Sequence, residues 1–205
     1  MNRSVQRWII VLAGVFVFSF YTLAAGLKPG DPIPMGNVKM MNVDGKFLPI
    51  ADIKGEKGTL IIFGCNSCPW VKAWLDRIVA IGNEYMEKGI GVMMINSNDP
   101  AVKEEDRFEV MQRVVKAKGI RFPYVVDATS YVARAFGATH TPEVFLFNGE
   151  GKLVYHGAID DNARHPEAVE HHYLKDALEA LLQGKLIPIA ETKAIGCTIK
   201  FRSSD

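Results

Sequence analysis

The stretch that most restricts how this chain can fold is LIIFGCNSCPW, residues 60–70. Its first four residues are apolar without alternation, which is the pattern of a strand covered on both faces. From Pro69 the apolar positions Val71, Trp74, Leu75, Ile78, Ile81 and Tyr85 recur at helical spacing and stop near Lys88 and Gly89. A buried strand therefore runs almost directly into a helix, with Cys65 and Cys68 at the junction.

The same alternation continues downstream. IGVMMIN (90–96) reads as a second buried strand, and 100–118 predicts an amphipathic helix with Val102, Phe108, Met111 and Val115 turned inward. PYVVD (123–127) is a third strand and SYVARAFGA (130–138) a short helix. THTPEVFLFNGEGKLVYHG (139–157) reads as a strand, a glycine-containing turn and an antiparallel partner. Residues 169–182 close as a helix through Tyr173, Leu174, Ala177, Leu178 and Leu181, and turn glycines in 44–58 predict a small hairpin ahead of the core. Strands alternating with helices specify an α/β layered sheet. At 205 residues and 48% hydrophobic, the chain suits one core, and it carries no internal repeat or low-complexity linker.

The first 25 residues follow a different rule. Arg3 and Arg7, with no acid, precede the apolar run 8–23 and the small residues Ala24, Ala25 and Gly26. This is the layout of an export signal. The run is also near the lower length limit of a spanning helix, so an uncleaved membrane tether through 8–23 is the alternative. Both place the domain at 27–183 outside the cytoplasm, periplasmic in a two-membrane cell, with 184–205 as a tail whose apolar residues are expected to pack back on it. The formal charge is +1, and −1 without the two arginines, so no nucleic-acid partner is expected.

Three cysteines, Cys65, Cys68 and Cys197, are too few for a disulfide-stapled scaffold and lack the second close pair of a structural zinc site. Redox chemistry is the use that remains. A thiolate is the reactive form of cysteine and a helix N-terminus favours it, so Cys65 is expected as the exposed nucleophile and Cys68 as the resolving thiol. Pro69 suits a first helical turn, and the Ser67 hydroxyl can donate to a thiolate. Other features read as ordinary. KEEDR (103–107) is expected on a solvated helix face, and Glu167 and His171 share a face without a third ligand, while His172 points elsewhere. Asp160 and Asp161 follow the last strand as caps; Trp74 belongs to the core and Trp70 flanks the site.

The C-x-x-C after the first core strand, AFGATHTPEVFLF ahead of a final hairpin, and the closing helix resemble the thioredoxin superfamily. The extra helix and strand between Asp99 and Asp127, with the entry LKPGDPIP, resemble its redoxin branch across residues 27–182. The resemblance implies a central mixed sheet flanked by helices, with a helix-plus-strand insertion. It implies a thiol-disulfide oxidoreductase that works on protein thiols or disulfides, is served by a redox partner protein, and needs no cofactor or metal. Pro142 should follow a cis bond and face the cysteine pair, Thr141 should offer backbone groups to an extended substrate, and His140 should lie at the rim. Two departures stand out. Gly64 replaces the tryptophan usual before the first cysteine, and the apolar Leu60, Ile61 and Ile62 supply no buried acid as proton acceptor for Cys68. Two other readings compete: a peroxidase, although Ile62 and Gly58 stand where its P-x-x-x-T-x-x-C motif needs Thr and Pro, and a copper-carrying assembly factor using both thiolates and His140. Cys197, in IGCTIKF, is either a small buried residue or a third, auxiliary thiol brought near the pair.

Overall fold

The computed structural model describes residues 26–203; the leader, and with it the signal or tether expected there, lies outside the described residues. Thirteen regular elements follow in chain order among them. They are β1 (Met40–Asn42), β2 (Phe47–Leu48), β3 (Gly58–Phe63), α1 (Pro69–Glu87), β4 (Ile90–Asn96), α2 (Phe108–Lys118), β5 (Tyr124–Val126), α3 (Tyr131–Phe136), β6 (His140–Thr141), β7 (Glu143–Asn148), β8 (Leu153–Gly157), α4 (Tyr173–Leu182) and β9 (Cys197–Thr198).

Seven strands form one sheet in the order β2-β1-β5-β4-β3-β7-β8. The middle strands β3, β4 and β5 are parallel, and β1, β2, β7 and β8 run antiparallel to their neighbours. The sheet is therefore mixed, with helices on both faces and α2 plus β5 as the insertion. It is the thioredoxin-like arrangement. The short pair β6–β9 stands apart from the main sheet.

Two-sided burial of β3 follows from its sequence. Successive side chains point to opposite faces, so Leu60 and Ile62 join one core with Trp74, Ile78 and Tyr85 of α1, Met111 of α2 and Leu178 of α4. Ile61 and Phe63 join the other with Val132 and Phe136 of α3. In this second core Phe136 meets the rings of Phe63, Phe145 and Phe147 edge-on at centroid distances of 5.2, 5.2 and 6.0 Å, the geometry that aromatic quadrupoles favour.

Three local expectations are corrected. The hairpin falls at 40–48, while Ile50–Ile53 is a single 3-10 turn that buries Ile50. Helix α2 begins at Phe108, not at residue 100. Asp99 bonds the amide of Ala101 through its side chain, Val102 is 57% exposed, and Asp106 turns away into the cysteine loop. The closing helix begins at Tyr173, after a separate 3-10 turn at Pro166–Ala168.

Candidate functional site

Strand β3 ends at Phe63 and α1 starts at Pro69, so Cys68 is the N-cap of α1 and Cys65 lies one loop earlier. The helix N-terminus therefore acts on Cys68 rather than on Cys65. Gly64 leaves room for the Met94 side chain, since a Cβ there would lie 2.2 Å from the Met94 methyl. A larger residue at that place would require the Met94 side chain to move.

The loop is held from below by one carboxylate. Asp106 is 2% exposed, and its Oδ1 accepts the backbone N–H groups of Asn66 (2.6 Å) and Ser67 (3.1 Å). Its Oδ2 accepts the Ser67 hydroxyl (2.7 Å) and the Asn98 side-chain amide (2.8 Å). Asn66 is fixed further by the Tyr124 hydroxyl and the carbonyl of Glu105. Sequence reasoning missed Asp106 because it is one of five consecutive charged residues, and nothing local distinguishes the one that points inward.

Opposite the loop, the Thr141–Pro142 peptide bond is cis. The Thr141 hydroxyl lies 3.2 Å from Cys65 Sγ, and Ser67 Oγ lies 3.7 Å from it. The Thr141 carbonyl is 3.0 Å from Cys68 Sγ. Glu143, 2% exposed, fixes this segment. One oxygen accepts the amides of Thr139 (2.7 Å) and His140 (2.9 Å), and the other meets His156 Nε2 at 2.6 Å. Burial raises the Glu143 pKa, but these partners together hold it below the ordinary value. An acid opening the apolar run EVFLF was the available sign of such a role. His140 turns its ring to Thr139 Oγ1 at 2.8 Å.

The tail closes the site. β9 pairs antiparallel with β6, Cys197 opposite Thr141 and Thr198 opposite His140, and the amide of Ile199 donates to the Thr139 carbonyl at 2.9 Å. The backbone edge expected to receive an extended substrate thus holds the protein's own tail. Cys197 Sγ lies 2.8 Å from Cys68 Sγ. Lys200 bonds Asn98, which ties the tail to the Asp106 cluster. Ile199 is buried, whereas Leu186 is 95% exposed, so only part of the apolar tail is covered.

The expected exposed nucleophile is not exposed: Cys65 is 1% and Cys68 2% accessible, and Cys197 alone of the three is only half-buried. The thiolate is held on Cys68, whose pKa falls to about 4 chiefly because Cys65 donates its S–H to it, with Cys197 adding a second donor. Donation to Cys68, and then burial, push the Cys65 thiol far up. Burial and donation to Cys68 push Cys197 up to about 11. Sulfurs coupled this way titrate as a unit, so the reduced pair holds one proton between them at neutral pH. Beside Cys65 an apolar cleft of about 220 Å³ is lined by Val71, Leu75, Met94 and Val114.

Trp70 packs at the core margin near Trp74, with Arg164 over its ring and its backbone N–H toward Cys197. Other predicted groups lie away from the cysteines. Trp74 donates to Asp160 at 2.7 Å, and Arg77 pairs with that buried carboxylate. Glu167 meets His165, while Asp161, Glu170 and His171, all exposed, form the one cluster with metal-ligand spacing among the described residues. No helix among those residues is long and apolar enough to cross a membrane.

The sequence matches the Redoxin family over residues 28–172. It is 26% identical to a thiol-disulfide oxidoreductase ResA of Halalkalibacterium halodurans over 155 residues, which covers 75% of this chain and 82% of that one. Among solved structures it resembles an uncharacterized conserved protein of Geobacillus kaustophilus, with 36% identity, a TM-score of 0.80, and 87% and 94% of the two chains covered. A hypothetical protein of Sinorhizobium meliloti 1021 is 32% identical with a TM-score of 0.81, covering 88% and 98%.

Proposed function

Because the chain belongs to the Redoxin family, we propose that it is an extracytoplasmic thiol-disulfide oxidoreductase whose Cys65–Cys68 pair exchanges disulfides with protein partners. The observation that carries this reading is geometric: two buried sulfurs at a strand-to-helix junction, Cys65 Sγ 3.2 Å from the Thr141 hydroxyl and Cys68 Sγ 3.0 Å from the Thr141 carbonyl, beside the cis bond to Pro142. The similar protein named a thiol-disulfide oxidoreductase supports the same chemistry. The pattern of the leader supports export.

In the reducing direction the shared proton moves onto Cys68, and Cys65 attacks one sulfur of the partner's disulfide. The Thr141 hydroxyl, 3.2 Å from Cys65 Sγ, stabilises the Cys65 thiolate in this microstate. The partner's other sulfur leaves as a thiolate and takes the proton from Cys68. The Cys68 thiolate then attacks the Cys65 sulfur of the mixed disulfide and forms the Cys65–Cys68 disulfide, while the second partner sulfur leaves as a thiolate that is protonated by water, so two electrons pass to the partner. Oxidation of a partner is the reverse sequence. Cys65 is assigned the attack because the apolar cleft borders it, whereas Cys68 is enclosed by Thr141 and Cys197. No proton acceptor on β3 is needed, because the second sulfur serves.

Insulin reduction by the mature chain with a thiol reductant tests the reaction. The wild type should accelerate it and Cys65→Ser should not. Undiminished turnover in that variant would overturn the assignment. N-terminal sequencing of exported protein distinguishes a cleaved leader, with a start near Gly26 or Leu27, from a retained tether; a full-length reduced chain in the cytosol would contradict both.

A further inference from the structure

The tail strand lies where an extended substrate would lie. β9 uses the backbone edge of His140 and Thr141, with a cysteine in register with Thr141. Its sulfur stands 2.8 Å from Cys68 Sγ, longer than a disulfide bond of ~2.05 Å but within bonding reach after a small shift. The approach is built into the sequence. A Cβ on Gly196 would lie 2.2 Å from the Thr141 carbonyl oxygen, so glycine is what lets the strand come this close. On the far side Ile199 is buried and Lys200 is bonded to Asn98, which clamps the strand after the cysteine. A cysteine that merely filled space would need neither clamp nor glycine.

We propose that Cys197 is a third redox thiol that takes the disulfide from the Cys65–Cys68 pair, so that substrate and redox partner are served at different sulfurs. The step rests on the exchange reaction proposed above. Cys197 attacks the Cys68 sulfur of the Cys65–Cys68 disulfide; the Cys68–Cys197 bond forms, the Cys65–Cys68 bond breaks, and the Cys197 proton passes to the departing Cys65 thiolate. No oxidant is consumed, since the reaction only moves a disulfide. Cys65 is left reduced beside its cleft. The new disulfide includes the one half-buried cysteine of the three, where a partner protein thiol can reach it. That thiol attacks Cys197, frees the Cys68 thiolate and ends in a mixed disulfide which the partner's second cysteine resolves. Cys65 thus faces the substrate and Cys197 faces the protein that restores the pair.

The test is disulfide mapping by mass spectrometry after equilibration with oxidised glutathione and alkylation of free thiols, in wild type, Cys65→Ser and Gly196→Val. In wild type Cys68 should be found linked to Cys65 and also to Cys197. In Cys65→Ser the Cys68–Cys197 link should be the main oxidised species, because two sulfurs in contact react faster with each other than with external glutathione. Gly196→Val, which displaces the strand but retains all three thiols, should lower the Cys68–Cys197 fraction several-fold and keep Cys65–Cys68. The proposal is overturned if Cys68 and Cys197 of Cys65→Ser carry only separate glutathione adducts while the wild type links Cys65 to Cys68. It also falls if Gly196→Val leaves the Cys68–Cys197 fraction unchanged. Absence of the Cys65–Cys68 link in wild type would overturn the exchange reaction itself.

Discussion

Replacing Asp106 by alanine should loosen the cysteine loop and destabilise the reduced protein by about 3 kcal/mol, with a parallel loss of exchange rate. The magnitude follows from the four donors on this carboxylate. The amide of Asn66 and the side-chain amide of Asn98 are buried, and a buried donor without a partner costs roughly 1–3 kcal/mol each. The two groups of Ser67 are only partly buried, so water can replace Asp106 there at small cost. Removing a buried negative charge returns some stability, which is why the sum stays near ~3 rather than twice that. Asp106→Asn should cost about half as much, since a single oxygen still accepts from Asn66 and Ser67. Either change also removes one of the charges that push the Cys65 thiol up, so Cys65 should ionise more easily in the looser loop. Urea unfolding of the reduced protein gives the stability and insulin reduction gives the rate. If Asp106→Ala loses less than about 1 kcal/mol and retains wild-type turnover, Asp106 is not what holds the loop.

Other perturbations follow from the same contacts. Cys68 ionises near pH 4, against about 8.5 in the unfolded chain, so its contribution to stability is complete above pH 8.5 and is lost as pH falls toward 4; thiolate ultraviolet absorbance of the reduced protein should show one equivalent titrating near that lower value and disappearing in Cys68→Ser. Glu143 has a depressed pKa, so it stabilises above its unfolded value of about 4.3 and the benefit is lost as pH falls through the folded one; Glu143→Gln should flatten the acid limb of an unfolding curve measured against pH. Gly82→Ala tests packing against propensity: alanine gains up to about 1 kcal/mol in a helix, but its methyl would sit 2.3 Å from the Phe122 ring, and overpacking costs about 1–3 kcal/mol, so thermal denaturation should show net destabilisation.

The parts of this structure legible in the sequence are those fixed by local pattern. An unalternated run such as 60–63 has to be covered on both sides, and α1 announces itself by apolar spacing and by Pro69 at its first position. Helix α2 was harder, because Val102 matches the helical spacing yet its segment is drawn away by Asp106, whose partners are about forty residues back in the chain. The candidate site divides the same way. Cys65, Cys68, Thr141 and Pro142 sit in short motifs with a chemical meaning. Their surroundings are not local: Cys65 meets Thr141, and a tail more than fifty residues after Thr141 pairs with that residue through β9 and brings Cys197 against Cys68. The expected exposure of Cys65 failed because the distant Thr141 segment closes against its sulfur, and the acidity fell on Cys68 chiefly because Cys65 donates its S–H to it. Asp106 was invisible and Glu143 was marked only by its place at the head of an apolar run, because their functions arise from which backbone amides the fold brings to them.

The central claim is that Cys65 forms the bond to the partner and Cys68 resolves it. Its most direct measurement is trapping with Cys68→Ser, in which the resolving sulfur is gone and the mixed disulfide should persist. The purified variant, incubated with an oxidised protein substrate such as insulin, should accumulate a covalent adduct that is released by reductant and maps by mass to Cys65. An adduct-free Cys65 in a folded variant that still reduces insulin at the wild-type rate would contradict the account.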